Sequence, residues 1–137
     1  MTTLTPHVFL QPDGWAPAKG YSNGVLAEGR MVFTGGLVGW NGQQEWEHTD
    51  MVGQFRQTLE NIVAVLSEAK AGPEHLVRLT WYITDKQEYN ENLRAFGAAY
   101  RDVIGRHFPA MAVVQVVALM EDEARIEIEA TAVVPHE

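Results

Sequence analysis

The strongest hydrophobic period in the chain lies over residues 50–69. Val52, Phe55, Leu59, Ile62, Val63, Leu66 and Ala69 recur at three- and four-residue steps, which predicts an amphipathic helix. Thr49 or Asp50 is placed to cap it and Gly72-Pro73 to stop it. Leu76–Thr84, LVRLTWYIT, alternates in part and reads as a strand. Asp85-Lys86-Gln87-Glu88 fits a capping box, so a second helix is expected to run to about Ile104. Its apolar face carries Tyr89, Leu93, Phe96, Tyr100 and Val103 or Ile104, and Gly105 suits the left-handed position that ends a helix. Met111–Met120 is almost continuously apolar and predicts a strand buried on both faces. Arg125–Val134 alternates strictly, with Ile126, Ile128, Ala130 and Ala132 on one face and Glu127, Glu129, Thr131 and Val133 on the other.

Upstream, residues 1–23 form a Thr-, Pro- and Gly-rich entry segment with room for a short strand at Val8–Leu10. Gly24–Ala27 and Met31–Thr34 read as two strands of a hairpin turned at Glu28-Gly29-Arg30. Gly35-Gly36 ends the second strand, Trp40-Asn41-Gly42 is a further turn, and loop is expected to His48. The order β-β-α-β-α-β-β predicts an α+β fold of one domain over residues 1–137, with two helices packed on one mixed β-sheet. Two helices cover one sheet face. The other, to which Met111–Val117 also contributes apolar side chains, is expected to be buried against further copies of the chain.

Composition narrows the partners. Eighteen acids against ten bases give a net charge of −8, which repels phosphate backbones and makes nucleic acid a poor partner. No apolar run approaches the ~20 residues of a membrane-spanning helix, so no membrane partner is expected. There are no cysteines, which excludes thiolate catalysis and cysteine-ligated metals. The start MTTLTPHVFLQPDGW lacks the basic and apolar regions of a secretory signal, so a cytoplasmic location is the expectation.

Few catalytic constellations survive inspection. There is no GxSxG elbow, and Ser22 and Ser67 are the only serines. The histidines at 7, 48, 75, 107 and 136 show no HxH, HxxxH or HExxH spacing, so no metal site is expected. The glycines at 35 and 36 open onto a loop rather than a helix, so they are not a dinucleotide fingerprint. What remains is acidic. Glu127 and Glu129 share one strand face; they are either a solvated face or, near a subunit seam, a partly desolvated carboxylate suited to proton transfer. Trp81 reads as core. Trp40 and Trp46 lie in a loop, where they either line a pocket or pack the loop.

An ordered set of segments resembles the RidA/YjgF/L-PSP family of small enamine and imine deaminases. The segments are Gly20-Tyr21-Ser22-Asn23-Gly24, Val32-Phe33-Thr34-Gly35-Gly36, Gln57-Thr58-Leu59-Glu60-Asn61, Val77–Asp85, Phe108-Pro109-Ala110, Val116–Leu119 and Ile126-Glu127-Ile128-Glu129-Ala130. The resemblance covers about Gly20 to Val134. It implies a chorismate-mutase-like fold, a homotrimer with clefts between subunits, and hydrolysis of a reactive enamine or imine to a carbonyl compound and ammonia without metal or organic cofactor. It implies Glu127 as the catalytic carboxylate that handles the attacking water, with Tyr21 and Gly36 lining the cleft. The chain also departs from the family pattern. Met111 stands where an Arg would clamp a substrate carboxylate, Val113 replaces a small polar or sulfur side chain, Leu37 stands in place of Gln, and Leu93 or Arg94 falls where a cleft Asn is expected. The substrate implied is therefore a small enamine or imine other than the usual 2-iminoacid. The alternative is a non-catalytic trimer that binds a small metabolite in the same cleft. An RNA-directed activity has also been attached to the family, and the net charge of −8 argues against it here.

Overall fold

A computed structural model of the chain describes residues 4–137. The elements in chain order are β1 (Val8–Leu10), β2 (Gly24–Leu26), β3 (Arg30–Phe33), β4 (Leu37–Val38), α1 (Met51–Glu68), β5 (Leu76–Ile83), α2 (Lys86–Glu91), α3 (Leu93–Val103), β6 (Ala110–Gln115) and β7 (Ile126–Val134). Among the described residues no helix is long and apolar enough to cross a membrane.

The main sheet runs β3-β7-β5-β6, with β4 also paired to β7. β5 and β6 are parallel and the α2–α3 segment crosses between them, while β7 is antiparallel to β3, β4 and β5. β1 and β2 form a separate antiparallel ribbon. The expected hairpin between the second and third strands is thus replaced: β2 pairs with β1, and β3 pairs with the end of the chain. The turn itself is real. Gly29 has φ +148, and a Cβ there would collide with the Val134 backbone. Turn chemistry reverses a chain but does not choose its partner strand.

The helices cover one sheet face. Asp50 caps α1 by accepting from the Gly53 amide at 2.9 Å. Its inward stripe of Met51, Phe55, Leu59, Ile62 and Leu66 is fully buried against Leu79, Ile126, Ile128 and Ala132. Each such side chain contributes about 1.5–3 kcal/mol by leaving water. Gln54 and Thr58 are the buried polar residues of α1, and the Gln54 side chain is satisfied on both sides. Its amide donates to Glu123 O at 2.9 Å and to His48 O at 3.2 Å, and its carbonyl accepts from Arg125 N at 2.7 Å. That network fixes the entry into β7, two residues before Glu127.

The second helix is broken. The Asn92 side chain donates from Nδ2 to Glu88 O at 2.7 Å, and α3 restarts at Leu93. The Met111–Met120 strand is also shorter than expected. It ends at Gln115, Val113 and Val114 are more than a third exposed, and Val117 and Met120 are fully open. The face away from the helices carries Met31 and Phe33, both exposed, together with Tyr82, Glu127 and Glu129.

Candidate functional site

The sheet positions two groups of side chains on its two faces. On the helix side, a cavity of about 570 Å³ lies between β6, α3 and residues 19–21. β6 points Met111 and Val113 into it, because the parallel register pairs them with the inward Leu79 and Trp81 of β5. α3 supplies Leu93, Gly97 and Arg101, spaced by four and so aligned on one stripe, with Phe96 and Tyr100 beside them. Tyr21 closes the rim and is about half exposed. Ser22 holds it there, its amide donating to Pro109 O at 3.0 Å and its hydroxyl to Phe108 O at 2.5 Å. Trp81, Tyr89 and Phe108 complete the walls, and Lys19 joins Arg101 as a second cation.

The inner tyrosines of this cavity, Tyr89 and Tyr100, are part of its walls. The Tyr100 hydroxyl donates to His107 O at 2.5 Å, and burial pushes its phenol far above the usual tyrosine range. Burial also raises the Tyr89 phenol. The Trp81 indole N–H has no hydrogen-bond partner among the described residues.

The second group sits on the opposite face, where β4 meets β7. Glu127 is paired across strands with Val38 and with Tyr82. It is half-buried. Gly36 packs directly on it, and a Cβ at Gly36 would overlap the Glu127 carboxylate. The segment is held down from α1. Asn61 donates to Val38 O at 3.0 Å and to Trp40 O at 2.8 Å, and Gly39 approaches so closely that a Cβ would lie 2.5 Å from Gln54 O. Glu129, two residues on, accepts from the Tyr82 phenol at 2.9 Å. That bond, then partial burial and the charges of Glu129 and Glu127, raise the Tyr82 phenol. Glu127 accepts no side-chain hydrogen bond among the described residues, so of the two glutamates it is the one with no donor held against it.

The sites read from the sequence therefore separate. Tyr21, Leu93, Met111 and Val113 converge on one cavity, Gly36 and Glu127 converge on the other face, and Arg94 is exposed outside the cavity lining. Within one chain Tyr21 lies with Met111 rather than beside Glu127. Sequence reasoning missed Arg101, Gly97 and Lys19. The first two were recoverable from the four-residue spacing that starts at Leu93. Trp81 was read as core and is both core and cavity wall, at 6% exposed. Trp40 and Trp46 pack on each other at 5.6 Å between ring centroids, and neither lines this cavity. No group of three or more His, Cys, Asp or Glu able to hold a metal ion occurs among the described residues.

Comparison with known proteins places these groups in context. Residues 13–134 match the protein family described as Endoribonuclease L-PSP. Protein DfrA of Myxococcus xanthus is 34% identical over 119 residues, covering 82% of this chain and 84% of the relative. The 2-iminobutanoate/2-iminopropanoate deaminase of Escherichia coli K12 is 31% identical over 108 residues, covering 77% and 80%. The crystal structure of YyfB from Yersinia pestis, described as a Rid-family protein of unknown function, superposes with a TM-score of 0.83 at 32% identity, covering 93% and 98%. The fold, the ordered segments and these likenesses agree: the chain belongs to the RidA/YjgF/L-PSP family, which includes 2-iminobutanoate/2-iminopropanoate deaminases.

Proposed function

We propose that the protein hydrolyses a small enamine or imine to a carbonyl compound and ammonia, in clefts between the subunits of a homotrimer. The observation that carries this is the separation of the two groups. Met111, Val113 and Tyr21 belong to the β6 edge of the sheet, and Gly36 and Glu127 to the β4 edge. One chain cannot bring them together. A head-to-tail contact that sets the β6 edge of one copy beside the β4–β7 edge of the next would, and with a threefold rotation such a contact closes into a ring of three. The exposed Met31, Phe33 and Val114 on the open face support burial against other copies.

In this reading Glu127 accepts a proton from water as the oxygen attacks the C=N carbon. The nitrogen takes up protons and leaves as ammonia, so R₂C=NH and H₂O become R₂C=O and NH₃. The Gly36 backbone and Tyr21 hold the substrate, and the chain's own groups suffice without metal or organic cofactor. Met111 offers no charge-assisted donor, so a substrate carboxylate is not gripped at that position. The name of the Escherichia coli relative supports the reaction class.

Glu127→Gln tests it. General acid–base catalysis contributes about 10²- to 10⁴-fold, and the variant should lose that much turnover of an imine generated in situ by an amino-acid oxidase. It should still sediment as a trimer. Unchanged turnover would overturn the assignment of Glu127, and a stable monomer at micromolar concentration would overturn the shared cleft. A protein that merely binds a metabolite would bind it equally well with Gln at 127 and turn over nothing in either form.

A further inference from the structure

We propose that the cavity beneath α3 takes an aromatic ring bearing a carboxylate, and that Arg101 and Lys19 provide the anion contact that Met111 cannot. The inference deepens the deaminase reading and rests on it for its chemistry. The substrate class becomes a 2-imino acid, or its enamine tautomer, with an aromatic side chain. Hydrolysis of its C=N bond by water releases the aromatic 2-oxo acid and ammonia.

Size is the first argument. A cavity of about 570 Å³ falls within the roughly 300–1,000 Å³ of sites that enclose drug-sized molecules. A three- or four-carbon imino acid would fill little of it. The walls are the second argument. Trp81 and Tyr89 meet edge-on at 6.2 Å between centroids, Tyr89 and Phe96 at 5.0 Å, and Tyr100 stacks on Phe108 at 5.3 Å. Rings at these spacings favour a further ring in offset or edge contact.

Charge is the third argument. The two ion pairs among the described residues are Arg56–Asp102 and Arg125–Glu88. Arg101 and Lys19 thus have no acidic partner, although the adjacent Asp102 is taken by Arg56, and no Asp or Glu lines the cavity. In a chain of net charge −8, two cations without an acidic partner among the described residues stand in the lining of one cavity walled by aromatic rings, which favours an anion there. Gly97 shapes it. A Cβ there would lie 3.1 Å from Arg101 Nη1, so the guanidinium folds back one turn along the helix, over the cavity. A guanidinium so placed grips a carboxylate with two parallel donors.

Titration calorimetry with product-type probes tests the inference. Phenylpyruvate carries ring and carboxylate, phenylacetone carries the ring alone, and pyruvate carries the carboxylate alone. Phenylpyruvate should bind at least tenfold more tightly than either. Arg101→Met should bring phenylpyruvate down to the affinity of phenylacetone and leave phenylacetone unchanged, and Arg101→Lys should fall between. Arg101 is exposed, so these variants keep the fold. Equal affinity for pyruvate and phenylpyruvate, or a carboxylate preference that survives Arg101→Met, would overturn the inference. The two proposals fail separately. Arg101-dependent binding without imine turnover would sink the deaminase reading and keep this cavity's ligand. Glu127-dependent turnover of imines that ignores Arg101 and ring size would do the reverse.

Discussion

The two faces of the sheet are made by the same strands and do different work. On β7, Ile126, Ile128, Ala130 and Ala132 are at most 3% exposed beneath the helices. The residues between them, Glu127 and Glu129, look out from the opposite face, one half-buried and one exposed. The covered face is saturated with apolar contacts and, at its β6 end, leaves a ring-lined cavity. The open face holds the Glu127 carboxylate against Gly36. Strand alternation lets one nine-residue segment anchor the core on one face and present carboxylates on the other, because neighbouring side chains never compete for the same surroundings. The comparison teaches that substitutions on the two faces should separate stability from turnover.

The largest effect should come from the covered face. Phe55 is fully buried, with its ring 4.6 Å from Trp81 and 4.9 Å from Phe96 between centroids. Phe55→Ala should cost about 3–5 kcal/mol in denaturant unfolding. Glu129→Gln on the open face weakens at most the bond from the Tyr82 phenol and should cost no more than about 0.5–1.5 kcal/mol, the net worth of one hydrogen bond. Equal losses in the two would erase the contrast.

A second change breaks the open face without touching the core. Gly36→Ala places a methyl where the Glu127 carboxylate rests. The flexible glutamate end can give way, so stability should change little. A catalytic group displaced by about 1 Å can lose about a hundredfold in rate, so under the role proposed for Glu127 imine turnover should fall by about that much. Unfolding curves and initial rates on the same preparation would show whether activity alone moves.

Part of this contrast was legible in the sequence, for reasons that differ by element. The α1 stripe and the β7 alternation are long and periodic, so the covered face and the outward Glu127 could be read directly. The partner of β3 could not. A three- or four-residue strand carries too little pattern to choose among edges, and β3 found β7 a hundred residues away rather than its neighbour β2. The two-residue β4 has no pattern to read, and Gly36 could be linked to Glu127 only through the family resemblance. The α2–α3 break at Asn92 depends on a side-chain bond to Glu88 O that competes with the helix. It leaves Leu93, Gly97 and Arg101 aligned on the cavity. Their spacing was visible, but nothing in the periodicity said that a cavity rather than core would meet them.

Met111→Arg would sharpen the contrast from the cavity side. Met111 is half-buried in the lining and Leu79 is its β5 neighbour in register. A guanidinium there adds charge-assisted hydrogen bonds of about 1.5–3 kcal/mol each, which corresponds to about tenfold or more in binding. The variant should gain on small 2-imino acids such as those from alanine or serine, which lack a ring to fill the cavity. Coupled oxidase assays of wild type and variant would check it. A wild type already fast on these small substrates would show that Met111 withholds nothing.

The smallest effect lies behind the cavity, at His107 on the covered side. His107 is fully buried between α3 and β6, its Nε2 2.8 Å from Leu76 O and its carbonyl accepting from Tyr100. Burial lowers its pKa, the Leu76 carbonyl offsets part of that, and His7 and His75 lower it further against a smaller opposing pull from Glu74. The folded protein therefore holds His107 neutral at pH values where the unfolded chain, with the ordinary 6.5, takes up a proton. Below that value the unfolded state binds more protons, so stability falls as pH falls and is fully present above it. The slope contributed by one such group cannot exceed about 1.4 kcal/mol per pH unit. His107→Gln keeps a donor for Leu76 O and removes the titration. Its stability, measured by urea unfolding between pH 7.5 and 5, should decline less steeply than that of the wild type, and the difference between the two curves should open below about pH 6.5. Curves that stay parallel throughout would mean that His107 is protonated in the folded state as readily as in the unfolded one, and that the loop behind the cavity is wetter than its burial implies.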